Sequence, residues 1–412
     1  MPFRFFYFLI FISFFTSMQI MAQNNLLWKL QDQKFNKSKA IDSTLNTLKN
    51  NHCLLPFLEK LCKTKSENLV QKTIIVHIGD SHIQADMVTC ESRNEFQSFF
   101  GNAGRGLVFP FQVAKSNSPS DIISSSNNKW TSSRLTKIDT TITCGIAGFG
   151  LQTIDKNAFV NFEMRTVNNK KETFNKIDLF YGKGLSKVIF EFNDTPKEFE
   201  IDSTSEYNSF DLETPISNFK VSFTKKDSLP LKFFGTILSK NDSSGILYHA
   251  IGANGATFSD YNKTKLFWKQ LPKLNADCYI ISLGTNEAQD QKLSSEQFLL
   301  QIKTSVEKLK LISPNAAIVL VTPPLSYFKQ KSPNKVLKMM TETIKKYALE
   351  NEIAYWDFFN ISKGLEGAST WKKMGLLRPD LVHYSKEGYA LQGKLLADAF
   401  SKLYNDFLLT KK

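Results

Sequence analysis

Short apolar runs of strand length recur along the chain, and the segments between several of them have helical spacing. Thr73-Ile-Ile-Val-His-Ile78, Ile246-Leu-Tyr-His-Ala-Ile251, Cys278-Tyr-Ile-Ile-Ser-Leu283, Ala317-Ile-Val-Leu-Val321 and Ile353-Ala-Tyr-Trp356 each end in turn residues. A continuous apolar run of this length fits a strand buried on both faces. Helical patterns cover roughly residues 260–271, 295–311 and 335–349. Tyr389, Leu396, Phe400, Leu403 and Phe407 recur at steps near 3.6 or its double and predict a closing helix. Strands alternating with helices predict parallel βαβ units and an α/β layered sheet.

Two regions have a different texture. From about residue 27 to 69 the chain reads as helical and packed outside the core, with Ile41, Leu45 and Leu48 at one-face spacing. From about residue 105 to 241 the alternation becomes period two, in Val160, Phe162, Met164, then Val188, Phe190, Phe192, then Phe219, Val221, Phe223, then Leu231, Phe233, Gly235. Many short alternating strands predict an antiparallel β sandwich, interrupting the α/β core between its first and second strands. The sandwich is led by a Ser/Asn-rich stretch in which Ser124-Ser-Ser-Asn-Asn128 reads as a loop. Gly101-Asn-Ala-Gly-Arg-Gly106 lacks the strand-turn-helix context and the following Lys of a phosphate loop, and reads as a turn. The expected division is a leader over 1–22, a helical segment over 23–69, a core over 70–104 and 245–408, and a β insert over 105–244.

Arg4 followed by Phe5-Phe-Tyr-Phe-Leu-Ile-Phe-Ile-Ser-Phe-Phe15 and a small residue at Ala22 describes a secretory signal peptide, with an uncleaved anchor as the alternative. A periplasmic or secreted protein with no membrane span after cleavage is expected. The 52 Lys and Arg against 39 Asp and Glu give a net charge of +13, dispersed in pairs such as Lys170-Lys171, Lys225-Lys226 and Lys345-Lys346. Dispersed charge favours solvated faces and a polyanionic neighbourhood over a nucleic-acid groove. Five Cys are present; Cys53 and Cys62 are near enough in sequence for a small-loop disulfide, while Cys278 reads as core. The number is odd and the spacing matches no zinc pattern, so no metal is assigned.

Chemistry enters at the end of the first strand. Gly79-Asp-Ser-His82 places the Ser81 hydroxyl at the carboxyl end of a buried strand, where open α/β sheets bind ligands. The same tripeptide also makes ordinary turns and helix N-caps. Three further motifs follow in order: Ile251-Gly-Ala-Asn-Gly-Ala-Thr257, Leu283-Gly-Thr-Asn-Glu287 and Asp380-Leu-Val-His383. They offer a glycine that lets a backbone N–H approach a ligand, a neutral amide donor, and a carboxylate beside an imidazole. A serine nucleophile needs a base, and the base needs an orienting group. Of the five His, only His383 has an Asp at a spacing where one short loop can present both. His77 reads as core, and His52 and His249 have no visible partner.

Together the four blocks resemble those of the SGNH (GDSL-like) hydrolase superfamily, over about residues 70–104 and 245–405. The β insert and Gly-Asp-Ser-His in place of Gly-Asp-Ser-Leu resemble, more narrowly, bacterial envelope peptidoglycan O-acetylesterases. The resemblance implies a three-layer flavodoxin-like core with Ser81 as nucleophile, His383 as base and then acid, and Asp380 orienting it. It places the oxyanion hole on the N–H groups of Ser81 and Gly255 and the side chain of Asn286. Gly255 is chosen over Gly252 because it immediately precedes Ala256-Thr257. His82 is a candidate substrate contact or a residue lining the helix start; Asp80 is expected to brace its loop, and Glu287 to keep a charge where Asp is frequent.

The expected activity is removal of O-acetyl groups from a glycan, with peptidoglycan as the candidate polymer, through a Ser acyl-enzyme and without a cofactor. A lipase or thioesterase for longer acyl chains, a glycan-binding protein on an inactive scaffold, and acyl transfer to a sugar remain alternatives. Oligomeric state is not readable from the sequence.

Overall fold

The computed structural model describes residues 27–411 apart from 33, 67–69, 128, 138–141, 168, 193–194 and 227. The leader expected over 1–22 lies outside the described residues. A six-stranded sheet forms from Leu48–Lys49 (β1), Lys72–Gly79 (β2), Gly245–Gly252 (β3), Cys278–Ser282 (β4), Ala317–Val321 (β5) and Ala354–Trp356 (β6), in the order β1-β6-β5-β4-β2-β3. β2 to β6 are parallel and β1 adds antiparallel to β6. The parallel strands therefore follow the flavodoxin-like order, which reverses between β2 and β4, where this architecture opens its ligand crevice.

Successive side chains of each strand enter opposite cores, as pleating requires. Val76 and Ile78 join Tyr279, Ile281, Ile318 and Leu320 against the helices Ser295–Ile312 and Val336–Glu350. Ile75 joins Cys278, Ile280 and Val319 against Leu55–Ser66, Met87–Phe100 and Lys386–Thr410. This is the α/β layered sheet expected from the runs, in the three-layer form that the resemblance implied. Among the described residues no helix is long and apolar enough to cross a membrane.

The inserted region is an antiparallel sandwich. One sheet runs Tyr207–Ile216, Phe174–Tyr181, Leu231–Ser239, Phe149–Thr153, Thr131–Arg134, and the other Thr195–Glu200, Leu185–Phe192, Asn218–Lys225, Phe159–Met164, Ile122–Ser125. Aromatic contacts lie between strands of the two sheets, with Phe190 to Phe210 at 5.0 Å and Phe162 to Phe233 at 6.3 Å between ring centroids. Buried ion pairs tie the insert to the core: Arg93 bonds both oxygens of Asp86 at 2.9 and 2.8 Å, while Arg105 bridges Asp86 and Asp121.

Three expectations need correction. Among the described residues the helix expected over 27–69 is an α-helix only at Leu55–Ser66, with 3-10 turns at Lys34–Lys37, Ser43–Leu45 and Asn51–Leu54; Leu48 lies in β1, and Leu45 is 40% exposed. Tertiary contacts fix this stretch instead. Asn46 is bonded to Leu395 and Trp356, and the Trp28 ring packs on Phe96. The glycine run read as a turn feeds the strand Gly104–Val108, and Ser124 belongs to Ile122–Ser125. Both are paired by distant partners, Leu231–Ser239 and Phe159–Met164, that local composition does not report. Finally, the small-loop disulfide that the Cys53–Cys62 spacing left open is not formed, and all five cysteines are free. The Cys53 thiol donates to Asn50 O, whereas Cys62 lies in helix Leu55–Ser66 and its thiol faces Tyr404.

Candidate active site

In register, Gly79 at the end of β2 stands opposite Gly252 of β3 and Ser282 of β4. Three strands thus end level, and the Asp80, Ala253 and Leu283 loops leave the sheet side by side. Asp80 caps the helical turn Ser81–Gln84 by accepting from His82 N at 2.9 Å, which fixes Ser81 at its first position. A Cβ on Gly252 would lie 2.3 Å from Gln84 N and 2.7 Å from Asp80 O, so only glycine lets the nucleophile turn rest on the second loop.

The loop Arg378–His383 supplies the other half. Arg378 N donates to His383 O at 2.8 Å, and Leu381 takes a left-handed φ of 56°. His383 Nε2 lies 2.8 Å from Ser81 Oγ, and its Nδ1 lies 3.0 Å from Asp380 Oδ2. Asp380 Oδ1 also accepts the amides of Val382 and His383 at 2.9 and 2.8 Å. Burial raises the Asp380 pKa, but these amides and the imidazole outweigh it and hold the carboxyl below its ordinary range. The arrangement presents one hydroxyl, one imidazole and one carboxylate in a continuous hydrogen-bonded row.

The donors expected for an oxyanion lie on the loops that leave the neighbouring strand ends. Asn286 Nδ2 donates to Ala256 O at 2.9 Å and reaches Asp80 Oδ2 at 3.3 Å, bridging the second loop and the nucleophile loop. Gly255 has a φ of +82°, in the turn closed by Ala256 N to Ala253 O at 3.0 Å. Among the described residues the N–H groups of Ser81 and Gly255 have no hydrogen-bond partner within the protein.

His82 does not face solvent. It is 3% exposed, its ring lies tilted by 36° against that of His383 at 5.5 Å between centroids, and Nδ1 bonds Tyr389 OH at 3.1 Å. Burial first, then the neighbouring His383, pushes its pKa down to about 3, so a neutral ring backs the His383 imidazole. Of the two readings open for His82, the structure fits the one that lines the helix start. Glu287 also departs from expectation. It is 3% exposed and accepts from Phe258 N at 2.7 Å; burial pushes it up to about 8, so it is mainly protonated at neutral pH. Asp80 is likewise buried and raised to about 7, chiefly by desolvation.

A carboxyl whose folded pKa exceeds its unfolded value destabilises the fold as pH rises between the two. Glu287→Gln keeps the acceptor for Phe258 N but cannot ionise. Its stability relative to wild type should therefore climb from pH 5 to pH 9 by at least about 1 kcal/mol. Urea unfolding at both pH values measures this, and a pH-independent difference would refute it.

Gln84 carried no motif signal. Its Oε1 accepts from Asn254 N at 2.7 Å and its Nε2 donates to Ser116 Oγ at 2.7 Å and Asn117 O at 3.0 Å. One side chain, a turn beyond Ser81, thus joins the second loop to the insert. Thr136 of the insert closes on the same loop, donating to Asn254 O at 3.0 Å.

Residues 228–391 match the family model described as GDSL-like Lipase/Acylhydrolase. That span contains Gly255, Asn286, Asp380 and His383 but not Ser81. No curated protein sequence matches the chain. Among solved structures, a peptidoglycan O-acetylesterase superposes with a TM-score of 0.74 at 21% identity, over 87% of this chain and 99% of that one. A lipase/acylhydrolase from Enterococcus faecalis matches at 20% identity over 38% of this chain and 77% of its own, with a TM-score of 0.30. An acetylxylan esterase from Geobacillus stearothermophilus does so at 20% identity over 39% and 73%, also at 0.30. With the four blocks in order and the strand ends level, the chain carries a GDSL-like lipase/acylhydrolase match over residues 228–391, and its fold resembles that of a peptidoglycan O-acetylesterase.

Proposed function

We propose that this hydrolase is an exported carbohydrate esterase that removes O-acetyl groups, with peptidoglycan as its polymer. The observation that carries the reading is the row Ser81 Oγ, His383 Nε2 and Nδ1, Asp380 Oδ2, with steps of 2.8 and 3.0 Å at the sheet's switch point. Ser81 Oγ attacks the acetyl carbonyl while His383 Nε2 takes its proton, and Asp380 steadies the imidazolium. The oxyanion is received by the Ser81 and Gly255 N–H groups and the Asn286 amide. His383 returns the proton to the departing sugar hydroxyl, leaving an acetyl-Ser81 ester. Water then attacks that ester, His383 again takes the proton, and acetate leaves as Ser81 is reprotonated.

Support for an acetylated glycan comes from the fold shared with a peptidoglycan O-acetylesterase over nearly its full length. The export signal read over 1–22 is consistent with a wall substrate. Much of the aromatic content is spent inside the sandwich, where Phe174, Phe190, Phe219 and Phe233 are buried.

The mature protein is expected to release acetate from O-acetylated peptidoglycan. It should also hydrolyse an activated acetyl ester at least about tenfold better, in kcat/KM, than the octanoyl ester, as an acetylesterase whose site fits only a short acyl group would. Chromogenic esters compare the two rates directly. Faster octanoyl hydrolysis would move the assignment to a lipase, and polymer binding without acetate release would leave only a glycan-binding scaffold.

A further inference from the structure

A pocket of about 570 Å³ opens in the insert, lined by Lys115, Arg134 and Lys137 with Ser116 and Ser132 between them. Both of its walls lean on the second loop of the active site. Ser116 is bonded to Gln84, which holds Asn254 N, and Thr136, in the turn between the lining residues Arg134 and Lys137, is bonded to Asn254 O and would lie 3.6 Å from a Cβ on Gly255. Among the described residues that line it there is no carboxylate. The cleft along helix Met87–Phe100 differs in this respect: Arg93 and Arg105 line it, but Asp86 and Asp121 already neutralise them.

Two backbone features gather these cations. Arg134 and Lys137 flank a tight turn in which Lys137 N donates to Arg134 O at 2.9 Å. Lys115 has a left-handed φ of 53°, held by its N–H to Gln112 O at 3.0 Å. Glycine or asparagine takes that conformation at lower cost, so a lysine there fits a position valued for its side chain. Three cations and hydroxyls around a concave site suit planar anions held by charge-assisted hydrogen bonds.

We propose that this pocket is a carboxylate subsite that receives the acidic groups flanking the acyl ester in a polymeric substrate. It rests on the O-acyl glycan reading and gives it a chemical preference: an acidic, peptide-bearing glycan over a neutral one. The insert then serves recognition, setting the polymer beside the oxyanion loop.

The test uses the full chain with Ser81→Ala, so that binding is measured without turnover. The probes are an O-acetylated glycan oligomer bearing peptides with free carboxylates and the same oligomer with those carboxylates converted to amides. Calorimetry should give a Kd at least about fivefold tighter for the acidic form, as expected for one or two partly exposed charge-assisted contacts. Added salt should shrink that preference. Arg134→Gln with Lys137→Gln should abolish it, and Arg134→Lys with Lys137→Arg should restore it. Should the neutral pair fail to fold, Lys115→Met and the salt series carry the same test. Equal Kd values for the two forms, binding of neither, or a preference that survives neutralisation would overturn the subsite. Preferred binding of the acidic form without acetate release from it by the wild-type enzyme would leave the subsite standing and fail the esterase assignment.

Discussion

Ser81→Ala is expected to lower kcat for acetyl ester hydrolysis by about 10,000-fold or more, because it removes the atom that must form the acyl bond. The structural cost should be small. Ser81 is half-buried at the start of a short helical turn, and among the described residues its hydroxyl bonds only His383 Nε2. The cap from Asp80 to His82 N is untouched. The midpoint of thermal unfolding should therefore move by no more than a few degrees, equivalent to about 1 kcal/mol. Asp380→Asn probes the other end of the row. Its Oδ1 can still accept the Val382 and His383 amides, which leaves the NH2 group facing His383 Nδ1. That arrangement favours the tautomer with its proton on Nε2, where a base toward Ser81 is needed, so a loss of about 1,000- to 10,000-fold is expected. Burst and steady-state assays with an activated acetyl ester measure both variants. Wild-type turnover by Ser81→Ala would end the serine mechanism.

The core was legible because its signals are local. Each parallel strand is an uninterrupted apolar run buried on both faces, and each block follows such a run, so sequence order alone set Ser81, Gly255 and Asn286 on adjacent strand ends. The Asp380 and His383 pair was legible because one short loop carries both. Contacts over long sequence distances left no such trace. The β1 strand exists because Trp356 and its neighbours offer an open sheet edge, 308 positions away from Leu48. Gln84 reads as an unremarkable polar residue until the insert brings Ser116 and Asn117 to it. Glu287 reads as a charge, and only its enclosure beside Phe258 reveals a carboxyl that stays protonated. Sequence left two roles open for His82 for the same reason, since its burial behind His383 depends on Tyr384, just after the final block, and on Tyr389 of the closing helix.

These distant contacts bear on chemistry because they converge on the second loop. Asn254 is held by Gln84 from the nucleophile turn and by Thr136 from the insert, and Asn286 fixes Ala256 from the third block. The Gly255 N–H is thus set between anchors from three parts of the chain. Such fixed donors stabilise a developing oxyanion without reorganising during the reaction. The insert consequently braces the proposed oxyanion loop even though it supplies none of Ser81, Asp380 and His383.

Asn286→Ala should reduce kcat about 100- to 1,000-fold with little change in KM, because the amide is proposed to act on charge that appears only in the transition state. Its geometry already divides the two hydrogens. One is committed to Ala256 O at 2.9 Å, while the other reaches Asp80 Oδ2 at the longer distance of 3.3 Å and is the one more easily turned to an oxyanion. Burial raises Asp80 to about 7, so near neutral pH its pull on that hydrogen is weakened by partial protonation. Alanine also strips a partner from Ala256 O and Asp80, and a stability loss of about 1–2 kcal/mol should accompany the kinetic effect. The two effects separate cleanly. A destabilised variant with unchanged kcat would make Asn286 a brace between loops, whereas a low kcat at a temperature well below the unfolding midpoint would place it at the oxyanion. Asn286→Asp sharpens the contrast: it is nearly isosteric, but an ionised carboxylate there would oppose the oxyanion and should be slower than alanine. Equal or faster turnover by the aspartate variant would remove Asn286 from the proposed oxyanion hole.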